Sequence, residues 1–547
     1  MNRFRKLKIV AMAMLALLLV LTACSGGKSS DSASSSGGSS AGTSETSGGN
    51  AQSGGDAQSG GGKSGESVLR VALPLNPRII GYPAEVTNNG PLPFLDPVVQ
   101  SLLHFDEKGN HVPWLAESWE TDAEAATITF KLKQGVKFHD GTDFNAEAVK
   151  WNIEQYIENK RTETENIASM EVIDDHTLLI RLKDWNSSSL EAIGFFVRHV
   201  SPTAVQANGK EWAYTNPVGT GPFLLDQWNM NVSVTYKKNP DYWEPGEPKV
   251  DRIELLIIED ANTAASALRV GEVDLIQAGN VDLADELIKS GEFDYVLQKN
   301  GIGAVGVGLI PDSVTEGSPF ADVRVRKAMA HAIDEVALAE TFGKGYWETT
   351  NQWGSREAYT FNPEVEGFPY DPEKAKQLLA EAGYPNGFKT KLFSGLNTKD
   401  VFTAIQSYLA QVGIDAELIV VDEAQVQSLY FSTWEGGLMG HFHSVQPDLG
   451  LYMFRHLDPN GAFYAKGIIH PEDVLELLRE NQKAPNMQVK TETSHKLQKL
   501  VYDEYAIVGK PLYIPMGIFI KQKYVKDDGF GVTHNAFWTP DNVWLDK

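Results

Sequence analysis

TITFKLKQGVKFHDGTDFNAEAVKWNI, residues Thr127 to Ile153, reads as a strand, a turn and a helix in succession, and that order sets the fold class. Ile128, Phe130 and Leu132 alternate with Thr129, Lys131 and Lys133, the pattern of a half-buried strand. Asp140-Gly141 makes a turn, and Asn145 is placed to cap a helix that carries Val149, Ile153 and Tyr156 inward. A hairpin follows in EVIDDHTLLIRL, turning at Asp174-Asp175. Working outward, Val68–Leu73 reads as a first strand, and a helix from about Ala261 stops at Gly271, a residue suited to a left-handed cap. Another helix starts near Asp322, with Val325, Met329, Ala332 and Ile333 at helical spacing. Asp371 caps a further one, with Pro372 in its first position, a stripe of Ala375, Leu378, Leu379 and Ala382, and Gly383 at its end. Strands and helices mixed along the whole body imply an α/β architecture.

The chain opens on MNRFRKLK, four cations and no acid, followed by the apolar run Ile9–Leu21. This is the pattern of a secretory leader, shorter than the roughly 20 apolar residues a membrane-spanning helix needs. Leu21-Thr22-Ala23-Cys24 then sets small residues around the single cysteine of the 547-residue chain and resembles the lipobox of bacterial lipoproteins. The resemblance implies cleavage after residue 23 and a diacylglycerol on Cys24, which would anchor the protein at the outer face of the cell membrane. From Ser25 to about Gly65 the chain is Ser, Gly, Ala, Thr and Gln with few charges, a flexible leash. A coil of about 40 such residues reaches roughly 35 Å. Gly38–Gly42 fits a nucleophile-elbow pattern but lacks the strand and helix that pattern requires, so it is read as low complexity.

The body is long enough for two or three domain-sized units and has no second apolar run of spanning length. The net charge of the whole chain, −24, is the wrong sign for nucleic acid. With no cysteine beyond Cys24 there is no disulfide framework, and stability rests on an ordinary core. HExxH, Walker and strand-elbow serine motifs are absent from the body, so no enzyme class is indicated. His139-Asp140 is read as scaffold at a strand-to-turn junction rather than as an acid–base pair. Gly301–Gly306, GIGAVG, leads into a strand-like run where a dinucleotide fingerprint needs a helix, and is read as a strand crossing between lobes.

Seven stretches, in order, resemble the solute-binding receptors of ABC importers, the group that includes oligopeptide-, dipeptide- and nickel-binding proteins (family 5). They are LAESWE (Leu115–Glu120), TFKLKQGVKFHDGTDFNAEAV (Thr129–Val149), PVGTGPF (Pro217–Phe223), NPDYWEPGEPKVDRIE (Asn239–Glu254), LRVGEVDL (Leu268–Leu275), DVRVRKAMAHAID (Asp322–Asp334) and YDPEKAKQLLAEAGY (Tyr370–Tyr384). The resemblance implies a two-lobed periplasmic-binding-protein-like α/β fold of type II, with an extra domain and hinge strands. On that basis residues 1–23 are the leader, 24–66 the acylated linker, 67–104 with 220–310 and 512–547 lobe I, 105–219 the extra domain, and 311–511 lobe II. It also implies a ligand held between closing lobes, ABC permease subunits as partners, no cofactor and a monomer. Oligopeptides lead as cargo, with oligosaccharides, opine-like compounds or a nickel chelate as rivals. A surface-anchored hydrolase is the alternative from another class.

Candidate ligand residues come mainly from STWEGGLMGHFHSVQPDLGLYMFRHLDPNGAFY, Ser432–Tyr464. Peptide-binding members of the family supply an aspartate here for the ligand's amino end. That position falls near Ser444, and the nearest carboxylate is Asp448. His441 and His443, two apart on a strand, point the same way. With Asp448 or His456 they would make a metal set, but a zinc site needs three or four close ligands, so hydrogen-bonding cleft-wall histidines are the favoured reading. Tyr82, Asn88, Trp353 and Trp434 complete the list, the aromatic rings as stacking platforms in loop-like stretches.

Overall fold

Ile128, Phe130 and Leu132 are buried to within 1% of their surface, as their alternation requires. Their strand, Thr127–Leu132, lies inside a four-stranded antiparallel sheet with Ala116–Asp122, Thr177–Leu182 and Ile167–Asp174. A computed structural model describes residues 65–547 except 87–91, 107, 298–303, 354–355, 445–447, 462, 516 and 528–541. Cys24, the leader, nearly all of the linker and Asn88 lie outside the described residues. Among those described, no helix is long and apolar enough to cross a membrane.

Helix Ala146–Glu158 is capped as its sequence indicates, Asn145 accepting from the Ala148 amide (3.0 Å), with Val149, Ile153 and Tyr156 buried. Asp371 likewise caps Pro372–Glu381, and Asp322 caps Val323–Ala332. Gly219 and Gly221 of the PVGTGPF stretch press on the chain at Pro97–Val98, where an added Cβ would come within 2.0 Å of the Val98 carbonyl at Gly219 and 2.6 Å of the Pro97 carbonyl at Gly221. That motif is therefore a packing device.

Two larger sheets organise the rest. The first has seven strands in the order Phe223–Asn229, Ser233–Lys238, Arg252–Ile257, Val68–Leu73, Leu275–Gln277, Ile518–Gln522 and Phe293–Leu297. Its faces alternate residue by residue. Leu69, Val71 and Leu73 enter one core shared with the four-stranded sheet, while Ala72 joins helices Ala261–Arg269 and Val281–Lys289 on the other side. The second sheet has six strands in the order Glu348–Thr349, Gly509–Pro515, Ala304–Pro311, Leu438–Ser444, Phe388–Gly395 and Ile414–Val421. Here Leu309, Leu392 and Leu438 face one core, and Ile310, Phe393 and Met439 the opposite one. Each body is thus a sheet with packed layers on both faces.

The chain changes sheets twice, between Leu297 and Ala304 and between Pro515 and Ile518, and the residues flanking the two changes are paired. Leu297 pairs with Ile518 at the edge of the first sheet, and Ala304 pairs with Pro515 within the second. This register moves the expected boundaries. Ala304–Pro311 and Gly509–Pro515 both belong to the second sheet, although the sequence reading carried lobe I to residue 310 and resumed it at 512. The sequence places the crossing at Gly301–Gly306, but the apolar pattern of residues 304–311 does not say which sheet that strand joins.

Candidate functional site

The region around residues 105–219 meets the second-sheet body along a seam of hydrogen bonds. Trp185 Nε1 donates to the Ala484 carbonyl (2.9 Å), the Ser187 amide to Gln482 (2.7 Å), Ser187 Oγ to Asn481 (3.1 Å) and the Tyr359 amide to Lys108 (3.2 Å). On the hinge side, Lys344 is ion-paired with Asp282, and Tyr346 Oη donates to Asp285 (3.3 Å). The two bodies therefore touch at both of these places.

A buried charge cluster sits in the middle of the seam. Asp448 caps helix Leu449–Leu457 by accepting from the Leu451 amide (2.9 Å), while its other oxygen takes Lys490 and the Ser188 hydroxyl (2.5 Å). Asp448 and Lys490 are only 1% and 3% exposed. Burial alone would raise the Asp448 carboxyl, but Lys490 and Ser188 hold it below the usual range. Across from this pair lies Glu191, whose Oε2 is 3.8 Å from His111 Nε2. Glu191 Oε1 and His111 Nε2 have no hydrogen-bond partner among the described residues. Burial pushes the Glu191 carboxyl up to about 8, with the Asp448 charge adding and Lys490 opposing. Burial pushes the His111 imidazole down to about 4, with Lys490 adding and Asp448 and Asp106 opposing. Near neutral pH the cluster thus holds one ion pair facing an uncharged acid and an uncharged imidazole. That arrangement can close an interface but supplies no nucleophile and no open metal position, and among the described residues no group of three or more metal-ligating side chains occurs.

The sequence-selected residues fall in different places. Asp448 is taken up by the seam, with both oxygens engaged, which corrects its expected role as a free anchor for a ligand amine. Trp434 is fully buried in the second body, its Nε1 donating to Leu429 (2.9 Å), and Trp353 lies in the same core. Tyr82 is buried in the first body, its hydroxyl donating to Gln155 (2.9 Å). These rings are core residues rather than stacking platforms, because stretches without periodicity still fold back onto apolar layers. His456 is buried with Nδ1 2.5 Å from the Tyr430 hydroxyl. His441, His443 and Ser444 occupy strand Leu438–Ser444 opposite Gly308, Gly306 and Val305, and their side chains lie outside the described residues. His139 is scaffold, its Nε2 2.9 Å from the Gly221 carbonyl, and Asp140 accepts from Thr142 and Ser201 (both 2.5 Å).

The sequence reading did not find Ser188, Glu191, His111 or Lys490. Glu191 carried a faint signal, an acid inside the apolar run Leu190–Ile193. Lys490 carried none.

Residues 110–461, well over half of the chain, match the family model for bacterial extracellular solute-binding proteins, family 5, middle region. The glutathione-binding protein GsiB of Shigella flexneri is 36% identical over 335 residues, covering 60% of this chain and 64% of the relative. The chain thus spans just under two thirds of that relative's length. Among solved structures, the periplasmic binding protein DppA of Helicobacter pylori with peptide STSA is 24% identical, has a TM-score of 0.66, and matches over 88% of this chain and 98% of its own. NikA of Brucella suis with Fe(III)-EDTA is 22% identical, with a TM-score of 0.76 over 88% of this chain and all of its own. These two likenesses show the two-lobed fold. With a family model matched across both bodies, the chain belongs to the bacterial extracellular solute-binding proteins of family 5.

Proposed function

We propose that this protein is a receptor outside the cytoplasm that closes two lobes over a small solute and hands it to the permease of an ABC importer. The observation that carries the reading is mechanical. The chain passes between the sheets twice, with Leu297 paired to Ile518 on one side and Ala304 to Pro515 on the other, and the remaining seam between the bodies includes separable hydrogen bonds. Such a joint supports hinge closure around a ligand. Residues 105–219 serve as the extra domain, sharing a core with lobe I and supplying its side of the seam. A peptide the size of glutathione is the leading cargo, on the strength of the GsiB relative. Cys24 carries the lipid, and the Gly/Ser leash keeps the receptor at high effective concentration near its membrane partner. No step of bond making or breaking is assigned to it.

Native mass spectrometry of the folded protein, followed by denaturing release, tests this. The expected result is a bound species of small-solute mass, peptidic in composition, freed on unfolding. A protein that carries nothing and takes up nothing from a solute mixture would overturn the reading.

A further inference from the structure

Ser188 donates to Asp448 across the seam, and the short helix Ser189–Gly194 starts from it, the Ala192 amide returning to the Ser188 carbonyl (3.0 Å). Glu191 stands three residues after Ser188, on the same side of that turn. The bond made by Ser188 thus brings the Glu191 carboxyl to the boundary between the bodies, where the residue is only 1% exposed. His111, on strand His111–Pro113 of the same body, sets its Nε2 3.8 Å from Glu191 Oε2, and the Phe105 ring lies against the imidazole with centroids 5.1 Å apart.

The second-sheet body closes over this pair with charges that are already matched. Lys490 donates to Asp448 and to Ser188 Oγ (3.3 Å), and the Leu451 amide takes the other Asp448 oxygen. Tyr359 also faces the cluster from that body, and burial together with the Asp448 and Glu191 charges keeps its phenol protonated. On the near side Asp106 acts on His111, and it is occupied by the amides of Lys108 (2.9 Å) and Asn110 (2.8 Å). Glu191 Oε1 and His111 Nε2 are left without a hydrogen-bond partner among the described residues. A carboxylate buried with no donor takes a proton instead.

The closed seam therefore holds one proton between Glu191 and His111. That count is the same whether the pair is an acid beside an imidazole or a carboxylate beside an imidazolium. Parting the bodies returns both groups to water, where the acid keeps its proton only below about pH 4.5 and the imidazole only below about 6.5. We infer that closing the lobes over the solute takes up a proton from the medium near neutral pH, held between Glu191 and His111, and that opening gives it back. The inference rests on the receptor reading above and adds a proton to its binding step. Above pH 6.5 only Glu191 changes its proton count on closing, and the uptake fades as pH passes 8, where the closed seam loses the proton too. Between pH 4.5 and 6.5 His111 releases a proton as Glu191 takes one, and the two cancel.

Isothermal titration calorimetry in buffers of different ionisation heat counts these protons. The probes are glutathione and defined di- to tetrapeptides, titrated one at a time into protein stripped of solute by unfolding and refolding. The wild type is expected to take up about 0.7 proton per bound probe at pH 7.3 and about none at pH 5.5, with affinity about tenfold weaker at pH 8 than at pH 6. Glu191→Gln leaves His111 alone to titrate and is expected to release about one proton at pH 5.5 and about none at pH 7.3, with affinity no weaker at pH 8 than at pH 6. His111→Asn leaves Glu191 alone and is expected to take up about one proton at both pH values. Each probe's own titration is common to the three proteins, so the differences between them carry the test. Equal proton counts in the wild type and the folded variants overturn the inference while the receptor reading stands. So does a wild type whose count is the same at pH 5.5 and 7.3. If the glutamine variant does not fold, His111→Asn decides alone, and an uptake of about zero at pH 5.5 overturns the inference. A wild type that binds no probe brings down the receptor reading and this inference together.

Discussion

Glu191→Gln isolates one buried proton. In the folded protein the Glu191 carboxyl titrates at about 8, against an ordinary value of 4.5, so the folded state keeps a proton that the unfolded chain has already lost. Its contribution to stability is complete below about pH 4.5 and declines as pH rises towards 8, at a limiting slope of about 1.4 kcal/mol per unit. His111 works the other way. Its folded value is depressed to about 4 from 6.5, so its contribution is complete above pH 6.5 and is lost as pH falls. The two effects oppose each other between pH 4.5 and 6.5, and from 6.5 to 8 Glu191 acts alone. Over that interval the wild type should lose up to about 2 kcal/mol relative to a variant that cannot ionise there. With roughly 1 kcal/mol per degree for a body of about 480 residues, the advantage of Glu191→Gln in Tm should widen by about 2 °C between pH 6.5 and 8. Differential scanning calorimetry of both proteins across that range is the assay. A difference in Tm that stays constant with pH, or narrows, would refute the placement of a neutral Glu191 opposite the Asp448–Lys490 pair.

Other expectations follow from the same geometry. Lys490→Met should destabilise the protein by about 3–5 kcal/mol, because Asp448 would keep a buried charge with only Ser188 and a helix amide as partners; chemical denaturation measures it. Gly219→Ala places a methyl on the Val98 carbonyl and should sharply reduce the yield of folded protein, whereas alanine at the exposed turn residue Gly246 meets no atom within 4 Å and should cost only the strain of its positive φ; soluble expression compares them. Trp185→Phe removes the Nε1 bond to the Ala484 carbonyl across the seam while keeping most of the ring that packs on the first core, so solute affinity should fall several-fold while Tm stays within about a degree. Cys24→Ala should abolish incorporation of labelled fatty acid in cells, and labelling that persists would place the lipid elsewhere.

Much of the frame could be read from local pattern. Alternation in Thr127–Leu132, the caps at Asn145, Asp322 and Asp371, and the stops at Gly271 and Gly383 each depend on neighbours a few residues away, so the sequence states them directly. The seam depends on contacts between residues hundreds of positions apart. Ser188 and Asp448 are separated by 260 residues and Ser188 and Lys490 by 302, and no spacing rule links them. Asp448 shows the difference within one residue. Its place before an amphipathic helix marks a cap, and that role is what Oδ1 performs, but its partnership with Lys490 comes only from tertiary packing. Trp353 and Trp434 erred in the same way, since residues without periodicity read as loop while folding places their rings inside a core. The sequence places a crossing at Gly301–Gly306, of which 301–303 lie outside the described residues, but the lobe to which residues 304–311 belong escaped because their apolar pattern looks alike from either lobe.

Closure of the two bodies over a solute is the step on which the proposed function depends. Spin labels at Lys183→Cys and Lys483→Cys, in a Cys24→Ser background, flank the Trp185–Ala484 contact on opposite bodies. Their distance distribution should be measured in protein stripped of solute by unfolding and refolding, and again after the released solute is returned. A receptor that closes gives a longer, broader distribution when stripped and a short, narrow one when loaded. One unchanged distribution in both states would contradict closure.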